Sequence, residues 1–318
     1  MDRKYAEFAA QKAIELLAID SPSGFADKAT DWVVEEFSSL GFKAKKTVKG
    51  GVLTDLGGTD VDDALLLEAH ADTLGGMVCE IKGDGKIYEG TAQLINASLH
   101  VNGEYNDIKR TFDSMEIVLD EDVKNAADVK NLGIENGDFV CFEPRSRITE
   151  SGYIKSRFLD DKLSVAILLG FAKYISDNKI TLPRKTFIHV TVYEEVGHGG
   201  SASVPQGVTE AISVDMGCVG KGLACTEKQV SVCVKDSGGP YSYKVVSGLI
   251  NAAKRENADY AADVYPHYGS DVEATLRAGN DIRHGLIGAG VYASHGYERS
   301  HINGVYNTLK VLKGYLKI

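Results

Sequence analysis

The stretch "TFIHVTVYEEVGHGG", residues 186–200, decides how this chain is read. Up to Tyr193 it is β-branched or aromatic apart from His189, the composition of a strand buried on both faces. It then closes on two adjacent carboxylates, Glu194 and Glu195, followed at once by glycines. Like charges side by side repel, and cations placed against them would relieve that repulsion. Alone, such a pair reads as an ordinary solvated loop entrance.

The pattern recurs on either side. "ALLLEAHAD" (64–72) is an apolar run ending in His70 and Asp72, and "EAISVDMG" (210–217) carries Asp215 at its end. Helical spacing covers 3–19, 27–40 (Ala29, Trp32, Val33, Phe37, Leu40) and the stretch from Leu163 to Tyr174. It returns over 241–258 and along Val305, Leu309, Leu312 and Leu316, after the glycine-rich strand "GLIGAGV" (285–291). Strands alternating with helices predict an α/β fold, a mixed central sheet with helices on both faces. From Gly75 the texture changes. A hairpin is expected around Gly83-Asp84-Gly85, with further strands in "MEIVLD" and "GDFVCFEPRSRIT", and no long helical pattern precedes Asp160. This predicts a small all-β barrel over 74–158, inserted into a discontinuous catalytic domain formed by 1–73 and 159–318.

Composition bounds the function. The 318 residues carry a formal net charge of −10, which argues against a nucleic-acid partner, since no basic stripe is present. Five scattered cysteines (Cys79, Cys141, Cys218, Cys225, Cys233) without CxxC spacing fit neither a disulfide framework nor a thiolate zinc site. They read as small buried hydrophobes in a reducing cytoplasm. The start, "MDRKYAEFAAQKAIELLAI", reads as an amphipathic helix rather than a signal peptide, and no apolar run reaches membrane-spanning length.

In open α/β sheets ligands bind at the carboxyl ends of strands. Those ends supply His70, Asp72, Glu194, Glu195 and Asp215; Asp160 and Asp161 precede one helix and His301 precedes the last. Imidazole plus carboxylate without thiolate suits zinc, cobalt or manganese. Two adjacent divalent ions need a bridging carboxylate, further imidazoles and carboxylates, and one carboxylate left free as general base. One member of the Glu194–Glu195 pair would ligate and the other would take a proton. Each residue also has an ordinary reading. Asp160 could cap a helix, and His70 could be a core histidine. His189, His284 and His100 are left as structural, His198 and His267 as loop neighbours, and His295 competes with His301.

In that order the residues resemble the tetrahedral aminopeptidase family of dinuclear metallopeptidases, which includes glutamyl and deblocking aminopeptidases and some members labelled endoglucanases. The matching stretches are "SPSG" (21–24), "EAHAD" (68–72), "FLDDK" (158–162), "YEEVGHGG" (193–200), "SVDMG" (213–217), "YGSDVEA" (268–274) and "ERSHING" (298–304). The resemblance covers essentially the whole chain. It implies a zinc-aminopeptidase-like fold and two divalent ions per subunit, Zn2+ or Co2+ or Mn2+. His70 and Asp215 would hold one ion, Glu195 and His301 the other, with Asp160 as bridge. Glu194 would be the general base and acid, and Asp72 would orient His70. The chain departs from the family where relatives carry arginine, having His198 after the acidic pair and Lys162 after the aspartates. The implied function is removal of N-terminal residues from short peptides, with the β insert assembling dimers into a homododecamer. A zinc deacylase or carboxypeptidase, or a non-catalytic binding protein on the same fold, are the alternatives.

Overall fold

A computed structural model describes residues 1–79 and 86–318. The chain divides into two compact units, Met1–Gly75 with Cys141–Ile318, and Gly76–Val140.

The larger unit opens with helices α1 (Lys4–Leu17) and α2 (Asp27–Ser39), then strands β1 (Lys43–Lys46), β2 (Val52–Asp55) and β3 (Asp60–His70). β3 is buried at every residue from Ala64 to His70, as its unbroken apolar spelling predicts for a strand covered on both faces.

In the smaller unit, β4 (Gly76–Cys79), β5 (Gly90–Leu94), β6 (Met115–Leu119), helix α3 (Ala126–Asn131) and β7 (Asn136–Val140) follow one another. β4 pairs with β7 and β5 with β6, each antiparallel. Among the described residues these are two separate ribbons, not the closed barrel expected, and α3 departs from the all-β reading. Asn125 caps that helix by accepting from the N–H groups of Ala127 and Asp128. The hairpin expected around Gly83–Gly85 lies outside the described residues.

The expected insert boundary at 158 also shifts. β8 (Arg147–Ile148) and β9 (Tyr153–Ser156) belong to the larger unit, because β9 pairs along its length with β16 (Glu298–His301) and buries Ile154 completely.

The rest of the larger unit runs α4 (Leu159–Asp177), β10 (Arg184–Thr191), β11 (Val208–Val214), β12 (Gly217–Val219), β13 (Val230–Lys235), α5 (Tyr243–Arg255), β14 (Tyr260–Val264), α6 (Asp271–Arg277), β15 (Arg283–Tyr292), β16 and α7 (Ile302–Leu316). Among the described residues its strands form one twelve-stranded sheet, with β1-β2-β10-β3-β11-β15-β16-β9-β8 as the main path and β12, β13 and β14 joined beside β15. α4 is buried on almost every side, as its apolar composition requires. It packs on α1 so closely that a Cβ on Gly170 would stand 3.0 Å from Ala9 Cβ. Each fully buried leucine or isoleucine there contributes about 1.5–3 kcal/mol. Among the described residues no helix is long and apolar enough to cross a membrane.

One polar cluster pins the amino ends of the sheet. Glu210, which is buried, accepts from Arg184 Nη1 at 2.9 Å, Arg283 Nε at 3.3 Å and the Tyr315 hydroxyl at 2.8 Å. Removing one partner of such a buried pair exposes the cost of the charge left behind.

Candidate metal centre

Strands β10, β3, β11 and β15 are neighbours and run parallel, so their carboxyl ends share one edge of the sheet. His70 is the last residue of β3 and pairs with Thr191 at the end of β10. Ser213 on β11 pairs with Glu68 on β3, which sets Asp215 level with His70. After β10 the chain bends through Tyr193, at φ 68°, into the short 3-10 turn Glu194–Val196, closed by Gly197 at φ 79°. A bulky residue in the left-handed region is strained. Here the bend swings two carboxylates toward His70. Asp160 and Asp161 open α4 across a cis peptide, and neither has helical φ/ψ. The Asp160 side chain does not cap that helix; its two oxygens face His70 and His295.

The donors converge on Asp160. Its Oδ1 lies 3.2 Å from His70 Nε2, and its Oδ2 lies 3.4 Å from His295 Nε2. His70 Nε2 is also 3.6 Å from Glu194 Oε2, and His295 Nε2 is 3.7 Å from Glu195 Oε2. His70 Nδ1 donates to the Asp72 carbonyl at 2.8 Å, a partner that can only accept, which leaves Nε2 as the ring nitrogen facing the carboxylates. The Asp72 side chain, fully buried, accepts from the Ser23 hydroxyl and from the Glu194 N–H at 3.2 Å. Asp72 therefore fixes both His70 and the backbone of Glu194.

The electrostatics are those of a buried cluster in which carboxylates outnumber the histidines. Burial first, then the charges of Asp215, Asp271 and Asp160, push Glu194 up to about 9. Burial, then Asp160, pushes Asp215 up to about 6, and burial with the charges of Asp160 and Asp72 pushes Glu195 up to about 7. Burial would lower the pKa of His70, but the Asp160 hydrogen bond and the surrounding carboxylates hold it well above its usual value. Asp160 moves the other way: burial opposes ionisation, yet the two histidines against it hold its pKa below the usual carboxylate range.

His301 corrects the sequence reading. Its Nε2 donates to the Ser151 carbonyl at 2.9 Å, and its Nδ1 accepts from the Asn303 N–H at 2.9 Å as the cap of α7. Both ring nitrogens are engaged, and neither faces the cluster. The topology explains the difference. β15 runs parallel to β11, so the turn after it lies at the site edge and carries His295. β16 then runs antiparallel to β15 and takes His301 away.

Two acidic residues to which the sequence reading gave no role lie at the cluster. Asp161 Oδ2 accepts from the His70 N–H at 3.2 Å, and its Oδ1 is buried without a hydrogen-bond partner. Glu298, also buried, accepts from the N–H of Asp160 at 3.1 Å and of His295 at 2.9 Å, holding both. Its place in "ERSHING" was the available signal. Of the remaining histidines, His189 stands 3.3 Å from Glu68 inside the sheet, and His267 lines the cavity over the site.

The donor set fits divalent cations. His70, Asp161 and Asp215 bring ligand atoms within 4.8 Å of one another, and the orphaned Asp161 oxygen is a further acceptor. Imidazole and carboxylate are the ligands of zinc, cobalt and manganese. Above them opens a cavity of about 430 Å³, whose lining includes Asp160, Glu194, Glu195, Asp215, Tyr268 and Arg277.

Residues 83–311 match the M42 glutamyl aminopeptidase family model. YhfE of Bacillus subtilis (strain 168), named as an aminopeptidase, is 39% identical over a 330-residue alignment spanning 95% of each chain. The aminopeptidase APDkam598 from the archaeon Desulfurococcus kamchatkensis shares the fold, with a TM-score of 0.81 over 98% of this chain and 94% of that one at 19% identity. So does the Pyrococcus horikoshii TET1 peptidase, with a TM-score of 0.77 over 96% and 98% at 18% identity. By this family match and this relative, the chain belongs to the M42 glutamyl aminopeptidase family and is a peptide hydrolase.

Proposed function

We propose that the chain is a dinuclear metallo-aminopeptidase acting on short peptides, with His70 and Asp215 toward one cation, Glu195 and His295 toward the other, and Asp160 between them. The observation that carries this reading is the placement of the two Asp160 oxygens, each against a different histidine. Two divalent cations, when bound, polarise a carbonyl oxygen and lower the pKa of water. Glu194 is then the group free to move a proton, from the attacking water to the departing amine. Its backbone is fixed by Asp72 and its carboxylate lines the cavity. The acidic wall of the cavity also suits a substrate's free α-ammonium group, which favours cutting from the amino end. The test uses one unblocked peptide, its N-acetylated copy, and a chelator followed by zinc, cobalt or manganese. Release of N-terminal residues from the free peptide alone, lost on chelation and restored by metal, is expected; release from the carboxyl end would sink the reading.

For assembly, the reading is a homo-oligomer built through Gly76–Val140, from dimers up to a dodecamer. The Pyrococcus horikoshii TET1 peptidase is described as assembling into a tetrahedron or an octahedral shell. The small unit exposes Ile87, Val101 and Phe112 almost fully, apolar surface of the kind that self-association covers. Sedimentation velocity should give a species well above the 34.3 kDa chain; a monomer at micromolar concentration would refute it.

A further inference from the structure

Lys49 stands at the tip of the β1–β2 hairpin, far from the cluster in sequence. That tip is a tight turn bonded to itself: Thr47 N–H donates to the Gly51 carbonyl at 2.8 Å and Gly50 N–H to the Thr47 carbonyl at 3.0 Å. It also lies against the end of β10, since a Cβ on Gly51 would come within 2.6 Å of the Val190 carbonyl oxygen. From this rigid platform the half-buried ammonium of Lys49 donates to the carbonyls of His198 and Gly199, and meets Ser201 Oγ at 3.3 Å. Among the described residues no carboxylate lies within ion-pairing distance of it. Its donors go to backbone, in the segment that follows Glu194 and Glu195.

Gly199 transmits that hold. A Cβ there would stand 1.8 Å from Asp271 Oδ1 and 3.0 Å from Glu194 Cβ, so its Cα is wedged between the α6 carboxylate and the stem of the proposed base. Asp271 is itself anchored by accepting from the Thr191 hydroxyl at 2.7 Å, and Thr275 Oγ1 donates to the Gly200 carbonyl at 2.8 Å. The segment is therefore seated on α6 below and strapped by the hairpin.

We infer that Lys49 is a positioning residue for the hydrolytic reaction: by holding the Gly199 carbonyl it sets where Glu194 stands in the cavity. This rests on the proposed role of Glu194. A displacement of about 1 Å in a reacting group costs on the order of 10²-fold in rate, whereas groups that bind substrate equally throughout are untouched by it.

The test compares full-length wild type with Lys49→Met, Lys49→Ala and Lys49→Arg, each saturated with cobalt, on an unblocked aminoacyl p-nitroanilide. Lys49→Met keeps the length and packing of the stem. It should lose about tenfold to a hundredfold in kcat, with KM within about twofold and metal content unchanged, and Lys49→Arg should recover most of the loss. Unchanged kcat in Lys49→Met and Lys49→Ala would overturn the inference. So would a loss shared by kcat, KM and metal content, or an arginine variant no better than methionine. A Glu194→Gln control separates the two ideas: if it stays active, the role of Glu194 fails whatever Lys49 does.

Discussion

Glu194→Gln is expected to lower kcat by about 10²–10⁴-fold while metal content, measured by elemental analysis, stays at the wild-type level. Glutamine has the same shape and leaves the Glu194 N–H on Asp72, so the 3-10 turn keeps its seat. What it removes is the ability to accept a proton. Glu195 cannot take over, because it faces His295 at 3.7 Å and is committed to the cluster on the proposed reading. On that reading the pair that follows β10 is two residues with two tasks, both carried by the short turn that the left-handed bend at Tyr193 opens. A glutamine variant with kcat within tenfold of wild type would end the assignment of Glu194.

The second large effect discriminates between two histidines. His295→Ala should lose one of the two cations on dialysis and most of its turnover. Removing a group that merely orients a ligand already costs about 10–100-fold in metal affinity, and removing a direct donor costs at least as much. His301→Ala should keep both cations and turnover, losing only about 1 kcal/mol as a helix cap is removed. Metal content and kcat for the two variants side by side decide the matter. If His301→Ala lost metal and His295→Ala kept it, the ligand set proposed here would be wrong.

The confusion between them has a physical cause. His295 precedes a four-residue strand and His301 ends it, and sequence spacing does not reveal that this strand reverses direction relative to β15. Strand reversal decides which end of "SHGYERSH" faces the carboxylate cluster. The adjacent aspartates pose the same difficulty. Side by side in "FLDDK" they look equivalent, yet the non-helical backbone there sends Asp160 toward both histidines and Asp161 toward the His70 amide. Glu298 figures in the sequence reading only as part of "ERSHING", and it is buried.

Where long-range pairing was not needed, the reading held. Parallel strands covered on both faces spell themselves as apolar runs, which made β3, β10, β11 and β15 legible. The largely apolar α4 was legible for the same reason. Helix α3 was missed because six residues give no repeat of apolar spacing, and the barrel was over-read because strand spelling does not say which strands close on which.

The polar cluster under the sheet has a use of its own. Arg184, Glu210 and Arg283 sit at or near the start of β10, β11 and β15, while Glu194, Asp215 and His295 follow their opposite ends. Along β11 the span from Glu210 to Asp215 is about 17 Å at roughly 3.3 Å per residue. Substitutions that far apart combine additively. The lower rim is therefore a handle for heat-hardening the enzyme without retuning its chemistry, and a reserve against which a costly change of specificity at the upper rim can be offset.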